Sequence, residues 1–149
     1  MKPRYLEDLP VGDKVQTASV TVTEADILEF SRRYDPQPMH ADPEAARRGP
    51  FHGLIASGWH TAALVMRLFV DSNPLGELPL LGLGVDGIEW PHPVRPGDTI
   101  QVEMEILAIR PSKSQPSHGV VKIRSTARNQ HGEVVFVVTP NCWVPRRPV

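Results

Sequence analysis

The side chains best suited to chemistry are a carboxylate and an imidazole five residues apart, Asp35 and His40. Pro36 and Pro38 stand between them, and each proline fixes its own φ and disfavours the α region for the preceding residue. The chain between the two groups is therefore predicted to be stiff and extended. Carboxylates and imidazoles are common general acids and bases, so a rigid loop carrying both indicates a proton-transfer pair. The same spacing also fits a turn in which Asp35 caps backbone amides and His40 lies on the surface.

A second candidate site lies where a long apolar segment begins, at Phe51-His52-Gly53. Residues 53–70 are mostly apolar, which predicts a buried core helix that starts near Gly53 rather than a membrane span. The first N–H groups of a helix are unpaired and its dipole is positive there, so an oxygen that gains negative charge would be stabilised. The alternative is that Gly53 only lets the chain turn into the helix.

Capping residues and hydrophobic periodicity predict the elements that must position these groups. Short helices are expected over 24–34, after the cap Thr23, and over 43–48, after the cap Asp42 and with Pro43 at the first helical position. Elsewhere apolar and polar residues alternate as in strands, and glycines in one segment indicate bulges. The predicted strands span 16–22, 82–90, 100–106, 121–128 and 134–138, mostly as an antiparallel meander. Because a sheet must cover its apolar face, we predict an α+β fold with the sheet wrapped around the long helix.

Composition limits the classes of protein to consider. The chain has 149 residues, which suits a single domain over 1–149, and its net charge of −1 indicates neither a nucleic-acid nor a membrane partner. Cys142 is the single cysteine, so no intrachain disulfide can form, and we expect a reducing compartment, the cytoplasm. The charged start of the chain lacks the apolar core of a signal peptide. The six histidines show no H-x-x-x-H spacing and no phosphate loop is present, so we expect no metal and no cofactor.

Taken together, the two candidate sites resemble the MaoC-like dehydratases, the (R)-specific enoyl-CoA hydratase family. The family motif is D-x-N-P-[apolar]-H, and the segment 35–40, DPQPMH, matches it except that Gln37 stands where asparagine is usual. The sequence ADP after the histidine and the segment 94–98, VRPGD, also match the family. The resemblance extends over residues 8 to 144, and Gln37 is the departure nearest to the expected chemistry.

The resemblance implies a hotdog fold and reversible addition of water to a trans-2-enoyl-CoA thioester in fatty acid metabolism. It implies that Asp35 and His40 hold the water and exchange protons with it, with Asp35 as the principal base. It further implies that the Gly53 amide faces the thioester oxygen and that the protein forms a homodimer or a higher homo-oligomer. The remaining candidates for lining or supporting the substrate site are Tyr34, Gln37 and Ser57.

Two other functions are compatible with the same pattern. A hotdog thioesterase would bind the same ligand and hydrolyse its thioester bond instead of hydrating its double bond. A non-catalytic acyl-binding module would keep the fold without the reaction. The order D-x-x-P-x-H favours hydration, because that order is the one that resembles the hydratases.

Overall fold

The computed structural model describes residues 2–149, and within them the chain forms five strands and four α-helices. A short 3₁₀ turn at Leu6–Asp8 comes first. The elements then follow in the order β1 (Lys14–Thr21), α1 (Glu24–Tyr34), α2 (Pro38–Ala41), α3 (Pro43–Arg48), α4 (Gly58–Asp71), β2 (Leu81–Glu89), β3 (Thr99–Pro111), β4 (His118–Arg128) and β5 (Val134–Pro145).

The five strands form one sheet in the order β1-β3-β4-β5-β2, and every neighbouring pair is antiparallel. On β3 the buried residues Ile100, Val102 and Met104 alternate with polar ones, which is the two-residue period that the sequence predicts. Register shifts interrupt the pairing of β2 with β5, in agreement with the bulges expected from the glycines of β2. The prediction of an antiparallel sheet packed on a long helix is confirmed.

The last strand is longer than predicted, because β5 continues past residue 138 to Pro145. A proline has no N–H to donate, so Pro140 would be expected to end a strand that lies inside a sheet. Opposite β4, the register passes from Asn141 facing Lys122 to Val138 facing Ser125, and Pro140 lies in the gap between them. The register is the same on both sides of this gap, so the strand passes the proline without shifting against β4.

The long helix α4 supplies the centre of the core, with Val65, Leu68 and Phe69 buried against the sheet. It begins at Gly58, so the prediction of a start near Gly53 is wrong. Residues 53–57 instead form a buried extended segment, held by hydrogen bonds from Ile55 N to Met39 O (3.0 Å) and from Ala56 N to Val94 O (2.8 Å). Apolar composition alone does not distinguish such a segment from the first turn of a buried helix.

No helix within residues 2–149 combines the length and the apolar character that crossing a bilayer requires.

Short capped helices place the predicted proton-transfer pair at the edge of the core. Thr23 caps α1 and Asp42 caps α3, as the sequence predicts. Residues 38–41, however, form the short helix α2, so the prediction of an extended chain up to His40 is wrong for its second half. Pro38 occupies the first position of α2, where a proline is tolerated because that N–H has no helical acceptor.

A buried histidine on α4 should make the stability of the fold pH-dependent. His60 is 6% exposed and stacks on the ring of Phe30, and burial lowers its pKa below the ordinary 6.5. The folded state therefore favours the neutral ring, and the unfolded state binds more protons once the pH falls below 6.5. We expect the free energy of unfolding, measured in urea, to have its full value above pH 6.5 and to decrease as the pH falls below it. His60→Phe should weaken this decrease, whereas His131→Phe, at an exposed position, should leave it unchanged.

Candidate active site

Asp35 lies directly after the last residue of α1, and hydrogen bonds to three other residues hold its backbone and its carboxylate. Its backbone N–H donates to Ser31 O (2.9 Å), which closes the helix. Its Oδ1 accepts a hydrogen bond from Gln37 Nε2 (2.8 Å), and its Oδ2 accepts one from Ser57 Oγ (2.7 Å). The carboxylate is therefore fixed in orientation, and Oδ2 faces His40.

The imidazole of His40 is oriented by the extended segment that precedes α4. Its Nδ1 lies 2.8 Å from the carbonyl oxygen of Ile55. A carbonyl oxygen only accepts, so Nδ1 carries the hydrogen, and in the neutral ring Nε2 presents a lone pair. Nε2 lies 3.5 Å from Asp35 Oδ2. With a neutral ring the site thus presents two acceptors side by side, an arrangement that can bind both hydrogens of one water molecule.

Hydrogen bonds keep Asp35 ionised. The hydroxyl of Ser57, and then the amide of Gln37, lower the pKa of the Asp35 carboxyl below its ordinary 3.8, because both donate to the charged form. Partial burial of the carboxyl acts in the opposite direction and is outweighed. The carboxylate is therefore charged throughout the neutral range and can accept hydrogen bonds from a bound ligand or water.

Replacing Ser57 should raise the pKa of Asp35. Ser57→Ala removes the strongest stabilising donor, so the carboxyl should titrate at higher pH than in the wild type. Because the lowered pKa adds stability that is lost as the pH falls through it, the variant should also lose less stability in acid. The titration is measured by carbon NMR of the Asp35 carboxyl. Ser72→Ala, which removes a hydroxyl from the opposite end of α4, should leave that titration in place.

The first turn of α4 forms one wall of an open cleft beside His40. The cleft has a volume of about 400 Å³ and is also lined by Gly58, Thr61 and Trp90. Ser57 caps the helix by accepting from Trp59 N (3.3 Å), and the N–H of Gly58, at the first helical position, has no acceptor within the helix. An N–H group at the positive end of α4 is therefore available at the cleft.

The structure places the other predicted site residues differently. The N–H of Gly53 donates to Ala46 O (3.1 Å), so the prediction that this amide is free at the helix start is wrong. Ser57 has no exposed surface and contacts Asp35, which makes it a positioning residue rather than a surface for substrate. Gln37 also contacts Asp35. Tyr34 is 63% exposed, and its ring packs against Phe30.

Three features of the site were missed from the sequence. The Ile55 carbonyl that orients His40 is a backbone group, so its position depends on tertiary structure alone. The helix-terminal N–H of Gly58 follows from the true start of α4, which Ser57 signals as a preferred N-cap residue. Trp90 follows an edge strand and gave no signal of its proximity to Gly58.

The architecture is the hotdog fold, in which an antiparallel sheet packs on one long helix. A MaoC-like dehydratase from Rhodospirillum rubrum shares it with a TM-score of 0.91 and 49% sequence identity, over 97% of this chain and 99% of that chain. The unliganded (R)-hydratase PhaJ1 from Pseudomonas aeruginosa shares it with a TM-score of 0.79 and 25% identity, over 97% of this chain and 88% of that chain.

Sequence comparison identifies the family within this fold. The family model of the MaoC like domain matches residues 8–129, and the chain belongs to that family. The 3-hydroxyacyl-thioester dehydratase Z of Mycobacterium tuberculosis is 32% identical over 101 residues, which is 66% of this chain and 67% of that protein. The predicted family and fold are both confirmed, and relatives of the chain include hydratases and dehydratases.

Proposed function

We propose that this protein is an acyl-CoA hydratase/dehydratase that reversibly adds water to a trans-2-enoyl-CoA thioester, with Asp35 and His40 as its acid/base pair. The observation that carries the proposal is the pair of acceptors, Asp35 Oδ2 and His40 Nε2, 3.5 Å apart with their orientations fixed. Hydration needs a water molecule held and deprotonated at one place, and two adjacent acceptors supply that. The hydratases and dehydratases among the relatives support the same class of reaction.

The reaction then proceeds with balanced protons. The water oxygen forms a bond to the β-carbon as one of its protons passes to the pair, with the Asp35 carboxylate as the principal base. The electrons of the double bond move toward the thioester carbonyl, whose oxygen gains negative charge. The pair returns a proton to the α-carbon as the carbonyl reforms, so the enzyme ends in its starting state. Dehydration follows the same steps in reverse.

The oxygen that gains charge needs a donor, and the start of α4 offers one. We assign this role to the N–H of Gly58 in place of Gly53, because Gly58 lies at the first position of α4 and lines the cleft with His40. A backbone N–H at a helix N-terminus stabilises an oxyanion without any reorganisation of the protein. This assignment has the carbonyl-binding amide share a cleft with His40, the imidazole of the water-binding pair.

One assay tests the proposed function. Crotonyl-CoA and longer enoyl-CoAs are offered to the purified protein while the ultraviolet band of the enoyl thioester and free thiol are both followed. Loss of the band without release of thiol is expected. Release of thiol would instead identify a thioesterase, and no change with any of these substrates would contradict the proposed catalysis and support a non-catalytic acyl-binding module.

We further propose that the protein acts as a homodimer in the cytoplasm. The edge strand β2 exposes Leu81, Leu83 and Val85, and an exposed apolar edge strand readily pairs with a second chain. Light scattering should give twice the chain mass of 16.5 kDa. Leu83→Lys should shift the protein toward monomer, whereas Val11→Lys, at an exposed apolar residue outside β2, should not. A monomeric wild type would contradict the proposal.

A further inference from the structure

The first residue of α4, Gly58, is in close contact with an indole. Trp90, which comes directly after β2, donates a hydrogen bond from Nε1 to Gly58 O (2.8 Å). A Cβ atom added to Gly58 would lie 2.8 Å from both Cε2 and Nε1 of that ring, a separation that real Cβ atoms essentially never show. The absence of a side chain at position 58 therefore lets the ring and the helix backbone approach this closely.

The indole is itself anchored to the sheet. The centre of its ring lies 5.6 Å from that of Phe136, a buried residue of β5. The ring of Trp59, on α4, packs edge-on against it with 5.3 Å between the ring centres. Aromatic pairs of this kind add stability beyond the area that they bury. Trp90 is 39% exposed and is nevertheless held by three residues, so it joins the start of α4 to the sheet.

The N–H of Gly58 depends on such restraints for its direction. Glycine has the widest range of backbone conformations, and the N–H of the first helical residue has no helical acceptor to hold it. On one side of this N–H, Ser57 is fixed because its hydroxyl donates to Asp35 Oδ2 (2.7 Å) and accepts from Trp59 N (3.3 Å). On the other side Trp90 holds the Gly58 carbonyl, so the N–H lies between two anchored groups.

We propose that Trp90 is a positioning residue for the reaction, because it holds the Gly58 N–H in the direction that binding of the thioester carbonyl oxygen requires. The inference rests on the proposed function, since it takes Gly58 as the donor to that oxygen. A donor aimed in advance stabilises the developing charge without any reorganisation of the protein. Misplacing a group by about 1 Å can lower a rate about a hundredfold. In this role the indole acts through Gly58, with which it lines the cleft.

The test compares Trp90→Phe with the wild type, and Trp143→Phe is the matched control. The first variant keeps an aromatic ring beside Gly58 but has no N–H to donate to its carbonyl. Trp143 is half-buried and stacks on His118, and it does not line the cleft. With crotonyl-CoA we expect Trp90→Phe to lower kcat about tenfold or more with little change in KM, because the carbonyl oxygen gains charge only in the transition state. Trp143→Phe should keep both constants.

A second measurement requires no turnover. A hydrogen bond weakens the C=O bond of a thioester, so infrared difference spectroscopy of bound butyryl-CoA reports on the Gly58 N–H. We expect a lower carbonyl stretching frequency in the wild type and in Trp143→Phe than in Trp90→Phe. Gly58→Ala keeps the indole but leaves it no room, so it should raise the frequency as Trp90→Phe does. Should Trp90→Phe not fold, Gly58→Ala gives the decisive comparison.

The outcomes separate the role of Trp90 from the proposed function. An unchanged carbonyl frequency in Trp90→Phe and Gly58→Ala would overturn the role of Trp90 even if crotonyl-CoA is hydrated. Equal losses of kcat in Trp90→Phe and Trp143→Phe would overturn it as well. If the wild type hydrates no enoyl-CoA, the catalytic proposal fails, and the carbonyl frequency still decides whether Trp90 positions Gly58. Failure of butyryl-CoA to bind would overturn both.

Discussion

Asp35→Asn is expected to lower the rate of enoyl-CoA hydration by about a hundredfold or more, the usual scale for a general acid or base. Asparagine has nearly the shape of aspartate, so its neighbours Gln37 and Ser57 can stay in place. The variant lacks the negative charge, and an amide does not take a proton from water at neutral pH. The expected result is therefore a loss of kcat with little change in KM, measured with crotonyl-CoA.

The matched control for this variant is Asp71→Asn. It makes the same chemical change at an exposed position at the end of α4, where the carboxylate pairs with Arg67. Its turnover should equal that of the wild type. Wild-type turnover in Asp35→Asn would refute the role of Asp35 as the base, and equal losses in both variants would indicate an effect of charge in general rather than of the site.

His40→Ala is expected to cause a loss of similar size, about a hundredfold or more. The imidazole supplies the second acceptor for the water, and without it the water loses one of the two groups that orient it. The substitution also removes the hydrogen bond to Ile55 O and leaves that buried carbonyl without its partner. Turnover is measured with crotonyl-CoA, and the free energy of unfolding is measured alongside it.

His40→Asn separates the two effects. The asparagine amide can donate to Ile55 O from about the position of Nδ1, but it places no acceptor where Nε2 lies. We expect this variant to recover most of the stability lost in His40→Ala and none of the activity. Recovery of activity together with stability would show that His40 acts only through the structure of the loop.

Local signals predicted those parts of the fold that depend on local structure. Thr23 and Asp42 marked the starts of α1 and α3, because a capping side chain bonds to amides only two or three residues away. The alternation of apolar and polar residues predicted the sheet, because this local pattern shows which face of each strand is buried. The start of α4 was predicted too early, because Leu54 and Ile55 are as buried in the extended segment as they would be in a helix.

The site, like the fold, was predictable only where it depends on residues close together in the sequence. The residue types and spacing of Asp35 and His40 identified the pair, and the structure brings them to 3.5 Å. The groups that orient the pair were not predictable from spacing, because Ser57 and the Ile55 carbonyl approach from a distant part of the chain. The same holds for Trp90, whose contact with Gly58 joins residues 32 positions apart.

The backbone of Ile55 has a consequence for how the protein would lose activity on heating. Its N–H donates to Met39 O and its carbonyl accepts from His40 Nδ1. One residue thus forms hydrogen bonds to two successive residues of α2. The next amide, Ala56 N, is bonded to Val94 O in the loop after β2. Sub-global opening of residues 54–57 would release the imidazole and the carboxylate together, and its free energy is at most that of global unfolding. We expect this opening to abolish activity, and hydrogen exchange at the Ile55 and Ala56 amides would report how often it occurs.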